Sequence, residues 1–126
     1  MDTDEHRLNP VSEAVIGCAF RVSNTLGVGF LEKVYENALA IEIRKAGLLA
    51  EQQKALQVRY DGQVVGEYVA DLLVEHEVLV ELKAVKALDD VHVAQCLNYL
   101  KAAGLRLCLL LNFGHPRVQV RRIRND

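Results

Sequence analysis

Val78-Leu79-Val80-Glu81-Leu82-Lys83-Ala84 reads as a strand from the middle of a sheet, short and almost wholly apolar. Successive side chains of a strand alternate between faces. Glu81 and Lys83 therefore share one face, and Val80, Leu82 and Ala84 share the other. An acid and an amine stand side by side where a core strand carries Val or Ile. Upstream, Ala55-Leu56-Gln57-Val58-Arg59-Tyr60 alternates with period two and Asp61-Gly62 marks a hairpin. The returning strand runs from about Val64 to Val74 and carries Asp71. Further upstream, Asn9-Pro10 opens a helix as N-cap and first position. A second helix runs from about Phe30 to Ala46, with Leu31, Val34, Tyr35, Ala38 and Leu39 as its apolar stripe and Gly47 as its stop. Downstream, Asp89 or Asp90 caps a helix that Gly104 ends near Ala103. Strands follow over Leu105–Phe113 and Arg117–Ile123. The order α-α-β-β-β-α-β-β predicts an α/β (α+β) fold, a mixed sheet flanked by helices.

Composition narrows the function classes. The 126 residues fit a single domain, and 51% hydrophobic with 25% charged residues is the balance of a folded globular chain. No apolar run approaches the ~20 residues of a membrane span. The start Met1-Asp2-Thr3-Asp4-Glu5 is too acidic for a signal peptide. Cys18, Cys96 and Cys108 are scattered without CxxC spacing, which predicts buried thiols in a reducing, cytoplasmic setting and no zinc or iron–sulfur site. A net charge of −2 argues against coating nucleic acid by bulk charge. From Lys101 onward, however, six basic residues face one acid. Arg117 and Arg121 are expected to share a strand face with Gln119, as a short row for phosphates.

Asp71, Glu81 and Lys83 are the candidate chemistry. Two acids on adjacent strands can supply oxygens to a hard cation such as Mg²⁺. A lysine beside them can hold an attacking water or offset charge on a phosphate. The competing reading is an ordinary cross-strand salt bridge from Lys83 to either acid. His92, Gln95 and Tyr99 recur at i, i+3 and i+7 as a polar face of the third helix. Glu32 and Glu36 lie one turn apart on the second, with Tyr35 between them.

Gly29-Phe30-Leu31-Glu32-Lys33-Val34-Tyr35 resembles the G-x-x-E-x-x-Y signature of the GxxExxY protein family. Tyr68-Val69-Ala70-Asp71, Val80-Glu81-Leu82-Lys83 and Gln95-Cys96-Leu97-Asn98-Tyr99 continue the likeness, which spans roughly residues 10 to 123. That family is placed in the PD-(D/E)xK nuclease-like superfamily, whose motif Asp71, Glu81 and Lys83 match, with Ala70 in place of the proline. Gln95-x-x-x-Tyr99 is similar to the helix motif of the RecB-type branch. The resemblance implies a restriction-endonuclease-like core and a Mg²⁺- or Mn²⁺-dependent phosphodiesterase acting on DNA or RNA. In that scheme Asp71, Glu81 and Glu32 hold metal, with Leu82 lending its carbonyl. Lys83 positions water, Gln95 steadies the nucleophile or phosphate, and Tyr99 packs beneath it. His92, Tyr99, Arg117 and Arg121 would meet nucleic acid. The alternative is a noncatalytic interaction module, a homodimer or bound to a partner protein. Hydrolysis of a small nucleotide is a third reading of the same site.

Overall fold

The computed structural model describes residues 3–126, with side chains from Leu8 onward. Two helices, α1 (Thr3–Leu26) and α2 (Glu32–Lys45), precede strands β1 (Ala50–Tyr60), β2 (Gln63–Val74) and β3 (Val78–Lys83). Helix α3 (Asp90–Ala103) then crosses to β4 (Leu107–Asn112), and β5 (Gln119–Arg124) completes the sheet. The strands lie in sequence order, with β3 and β4 parallel and every other neighbouring pair antiparallel. The parallel pair is central and buried along nearly its whole length, as its largely apolar sequence requires. The charged strands β1 and β5 take the edges, where lysine and arginine discourage sheet-to-sheet pairing.

Each sheet face buries its own core. Val15, Cys18 and Val22 of α1, with Tyr35, Leu39 and Ile43 of α2, pack on Leu72, Val80, Leu82, Leu109 and Leu111. On the opposite face Cys96, Tyr99 and Leu100 of α3 cover Leu79, Cys108, Leu110 and Ile123. Each fully buried leucine contributes about 1.5–3 kcal/mol from leaving water.

The hairpin turn and the α3 cap signals hold. Tyr60 pairs with Gln63 across Asp61-Gly62, both at positive φ, as a two-residue hairpin loop demands. Asp89 caps α3 by accepting the Val91 amide at 2.9 Å, and His92 Nδ1 accepts the Asp89 amide at 3.2 Å. Three expectations fail. Helix α1 starts before Asn9 and contains Pro10, which costs one ladder hydrogen bond; the Asn9 side chain binds Arg122 instead of capping. The α2 stripe is rotated: Leu31 is 79% and Val34 38% exposed, while Tyr35, Glu36, Leu39, Ala40 and Ile43 are buried. Tyr35 sets that rotation by stacking on Phe113 at 4.8 Å and donating its hydroxyl to the Gly27 carbonyl at 2.6 Å. Finally, strand alternation breaks between Ala70, which faces α3, and Leu72, which faces α1 and α2. The break lies opposite Gln53, whose φ of 54° kinks β1. It turns Leu56, Tyr68 and Ala70 toward α3.

Asn112 locks the segment between β3 and α3. Its amide donates to the Val85 carbonyl and to Gln119 Oε1, both at 2.9 Å, and its carbonyl accepts the Val85 and Gly114 amides, both at 3.0 Å. Gly114 passes so close that a Cβ there would lie 2.7 Å from the Val85 nitrogen. Asn112→Ala strands several buried polar groups, each costing roughly 1–3 kcal/mol when unpaired. We expect it to destabilise the fold by about 3 kcal/mol in urea unfolding; a change within 0.5 kcal/mol, in the range of ordinary surface substitutions (about ±0.5 kcal/mol), would show that the lock is dispensable.

Candidate active site

The β2–β3 ladder is short, ending at Leu72 opposite Val80, while β3 continues beside β4 to Lys83 opposite Asn112. Beyond Leu72 the gap between β2 and β3 is spanned by two carboxylates. Glu81 Oε1 accepts the Asp71 amide at 3.0 Å, and Asp71 Oδ2 accepts the Leu82 amide at 2.8 Å. Each acid thus satisfies backbone on the opposing strand, which holds both side chains in place. Glu81 is only 3% exposed. Burial first, and the neighbouring Asp71 charge second, push its carboxyl up to about 9. At neutral pH the metal-free pair therefore retains a proton at Glu81. A cation at this point would favour the ionised form that burial opposes.

Lys83 lies on the same strand face as Glu81, half-buried at the end of β3. Among the described residues its ammonium makes no ion pair and no hydrogen bond. The cross-strand salt bridge is therefore not what this geometry provides. Lys83 still acts electrostatically on the site, since its charge lowers the Cys96 thiol after the larger effect of a hydrogen bond from Cys108. All three cysteines are free and buried.

Helix α3 covers this face. Gln95 Nε2 donates to the Tyr99 hydroxyl at 3.0 Å. Burial raises the Tyr99 phenol, the Gln95 bond opposes that, and the Glu81 and Asp71 charges add to it. Tyr99, with Gln95 bonded to it, thus lies on the α3 face within electrostatic reach of Asp71 and Glu81. Tyr68, which the sequence motifs included without assigning it a task, stacks on Tyr99 with centroids 5.0 Å apart.

Other expected residues go elsewhere. Glu32 is exposed at the first turn of α2, where an acid suits the helix dipole. Leu31 and Val34, expected in the buried stripe of α2, are exposed beside it. Among the described residues no three His, Cys, Asp or Glu side chains form a metal-binding group. The buried acid of α2 is Glu36, whose oxygens accept Gln52 and Gln53 at 2.7 Å and Lys33 at 3.0 Å. His92 serves in the α3 cap. Arg117 precedes β5 and stacks over Phe20 of α1 at 5.1 Å, whereas Arg121 shares the strand face of Ile123, toward the α3 side. The expected arginine row is thus divided. Arg122 is tied to α1 through Ser12 and Asn9.

Two carboxylates suit Mg²⁺, which is usually held by one or two acids while phosphate and water fill the remaining positions. The donor set fits such an ion.

Comparison with known proteins bears on the family and the fold. A family model described as the PD-(D/E)XK nuclease superfamily matches residues 9–123. No curated protein matches the chain in sequence. Among solved structures it is similar to an alkaline exonuclease, LHK-Exo from Laribacter hongkongensis, with a TM-score of 0.57 and 16% identity. That match covers 100% of this chain and 73% of the exonuclease. The mixed five-stranded sheet with its helices is the restriction-endonuclease-like fold.

Proposed function

Because this chain belongs to the PD-(D/E)XK nuclease superfamily, we propose that it is a divalent-metal-dependent nuclease, a single domain over residues 1–126 that hydrolyses phosphodiester bonds of DNA or RNA. One observation carries the reading. Asp71 and Glu81 are crowded into a low-dielectric gap, while Lys83, two residues on along the same strand face, is left without an ion pair. A purely structural cluster would pair that charge. Asp71 and Glu81 would hold Mg²⁺ or Mn²⁺, with the Leu82 carbonyl as a further donor. When bound, the ion supplies Lewis-acid polarisation and a more acidic water. Lys83 offsets phosphate charge and orients the nucleophile, Gln95 steadies the scissile group, and Tyr99 fixes Gln95 from beneath. The free buried thiols accord with a reducing, cytoplasmic setting, and no described helix is long and apolar enough to cross a membrane. The GxxExxY assignment rests on Gly29, at φ 103°, and on Tyr35, which closes the loop before α2.

A second reading, a noncatalytic module that binds a partner or a second copy, draws on the hairpin arm, where Tyr60, Val64, Val65 and Val69 are exposed. Labelled single- and double-stranded DNA and RNA, incubated with Mg²⁺, Mn²⁺ or EDTA, separate the two. The nuclease reading expects cleavage of at least one substrate that EDTA stops. Intact substrates throughout would favour the module.

A further inference from the structure

Resting on the nuclease reading, we propose that the cleft between the β1–β2 hairpin and α3 holds an unpaired stretch of the nucleic-acid substrate and leads it to the carboxylates. This cleft encloses about 950 Å³, the upper end of the ~300–1,000 Å³ usual for small-ligand pockets. Its walls carry Lys54, Arg59 and Lys101 against one acid, Glu67, on a chain that is negative overall. Among the described residues Lys101 makes no ion pair, Arg59 bonds only the neutral Gln57 and Gly62 oxygens, and Lys54 is shared with Glu51 at 3.3 Å. Three cations converging on one concave surface, two of them without an acidic partner, suit a chain of phosphates.

Tyr68 defines the ligand more narrowly. It lines this cleft, is 40% exposed, and backs onto Tyr99. Tyr99 in turn feels the Asp71 and Glu81 charges. The cleft does not contain the carboxylates, but the two tyrosines join it to them. An exposed aromatic ring among cations is a stacking platform for a base. A continuous duplex keeps its bases stacked on one another and has no free base face to offer, so the occupant is an unpaired strand. The kink at Gln53 makes this possible by turning Tyr68 toward α3. At the other edge, Arg117 and Arg122 are engaged on α1 and do not compete for the role.

The test is fluorescence anisotropy of a labelled oligothymidylate and of a blunt duplex, measured in EDTA so that no turnover intervenes. The proteins are wild type, Arg59→Glu/Lys101→Glu and Tyr68→Leu, each checked for an unchanged melting temperature. We expect the double reversal to weaken single-strand binding by about tenfold or more. It should also flatten the log K against log salt slope by roughly 1.4, from two phosphate contacts at ~0.7 each. Tyr68→Leu should cost about tenfold with the slope unchanged. No binding by wild type, unchanged affinity in both variants, or a blunt duplex bound as tightly as the single strand would overturn the cleft. Failure here is distinguishable from failure of the nuclease reading. Cleavage that survives with binding insensitive to these variants removes the cleft alone. Variant-sensitive binding without any cleavage leaves the cleft and removes the nuclease.

Discussion

Lys83→Met is expected to reduce nucleic-acid cleavage by on the order of 10²–10³-fold, the loss seen when one preorganised charge-stabilising group is removed. The side chain is half-buried and unpaired on the strand face it shares with Glu81, so methionine keeps most of the packing while deleting only the charge. The melting temperature should stay close to that of wild type, because no ion pair is broken. Steady-state cleavage with saturating Mn²⁺ gives the answer. A variant that cleaves within a few-fold of wild type would remove Lys83 from the chemistry, and one that unfolds would show a structural role instead.

The metal-free protein should lose stability as pH rises from about 4.5 to about 9. Glu81 has an ordinary value of 4.5 once unfolded and is pushed up to about 9 when folded, by burial and then by Asp71. Below 4.5 both states carry the proton and the contribution is fully present. Between the two values the native state holds a proton that the unfolded state has released, so stability falls with pH, by at most about 1.4 kcal/mol per unit. Above 9 both states are ionised and the contribution is gone. Thermal melts in EDTA from pH 6 to pH 9 should show this fall, and Glu81→Gln should flatten it. Added Mg²⁺ should recover stability most at the alkaline end, where ionised Glu81 is least stable without a cation. Parallel pH curves for wild type and Glu81→Gln would contradict the buried, raised carboxyl.

Much of this architecture is legible in the sequence because its signals are local. Asp61-Gly62 needs only its own backbone to form the hairpin loop, and Asp89 needs only the next turn to cap α3. The apolar run Val78–Val80, resumed at Leu82, reads as a central strand, and alternation then forces Glu81 and Lys83 onto one face. What escaped the sequence depends on distant contacts. The rotation of α2 is set by Tyr35 against Phe113, far along the chain, which buries Glu36 and exposes Leu31 and Val34. Face alternation through β2 assumes an unbroken strand, and the left-handed Gln53 on its neighbour breaks it. Tyr68 consequently reaches the α3 side, where parity alone would have placed it on the other. The arginine row failed for a related reason, since Arg117 lies outside the strand and its guanidinium finds Phe20.

The central claim is that Asp71 and Glu81 form a metal site beside an unpaired lysine. Anomalous diffraction from crystals grown with Mn²⁺ at neutral to mildly alkaline pH tests it most directly. A single strong peak in contact with both carboxylates, absent from Asp71→Asn crystals, is the predicted result. Mn²⁺ bound elsewhere, with no peak at the Asp71–Glu81 pair, would contradict it.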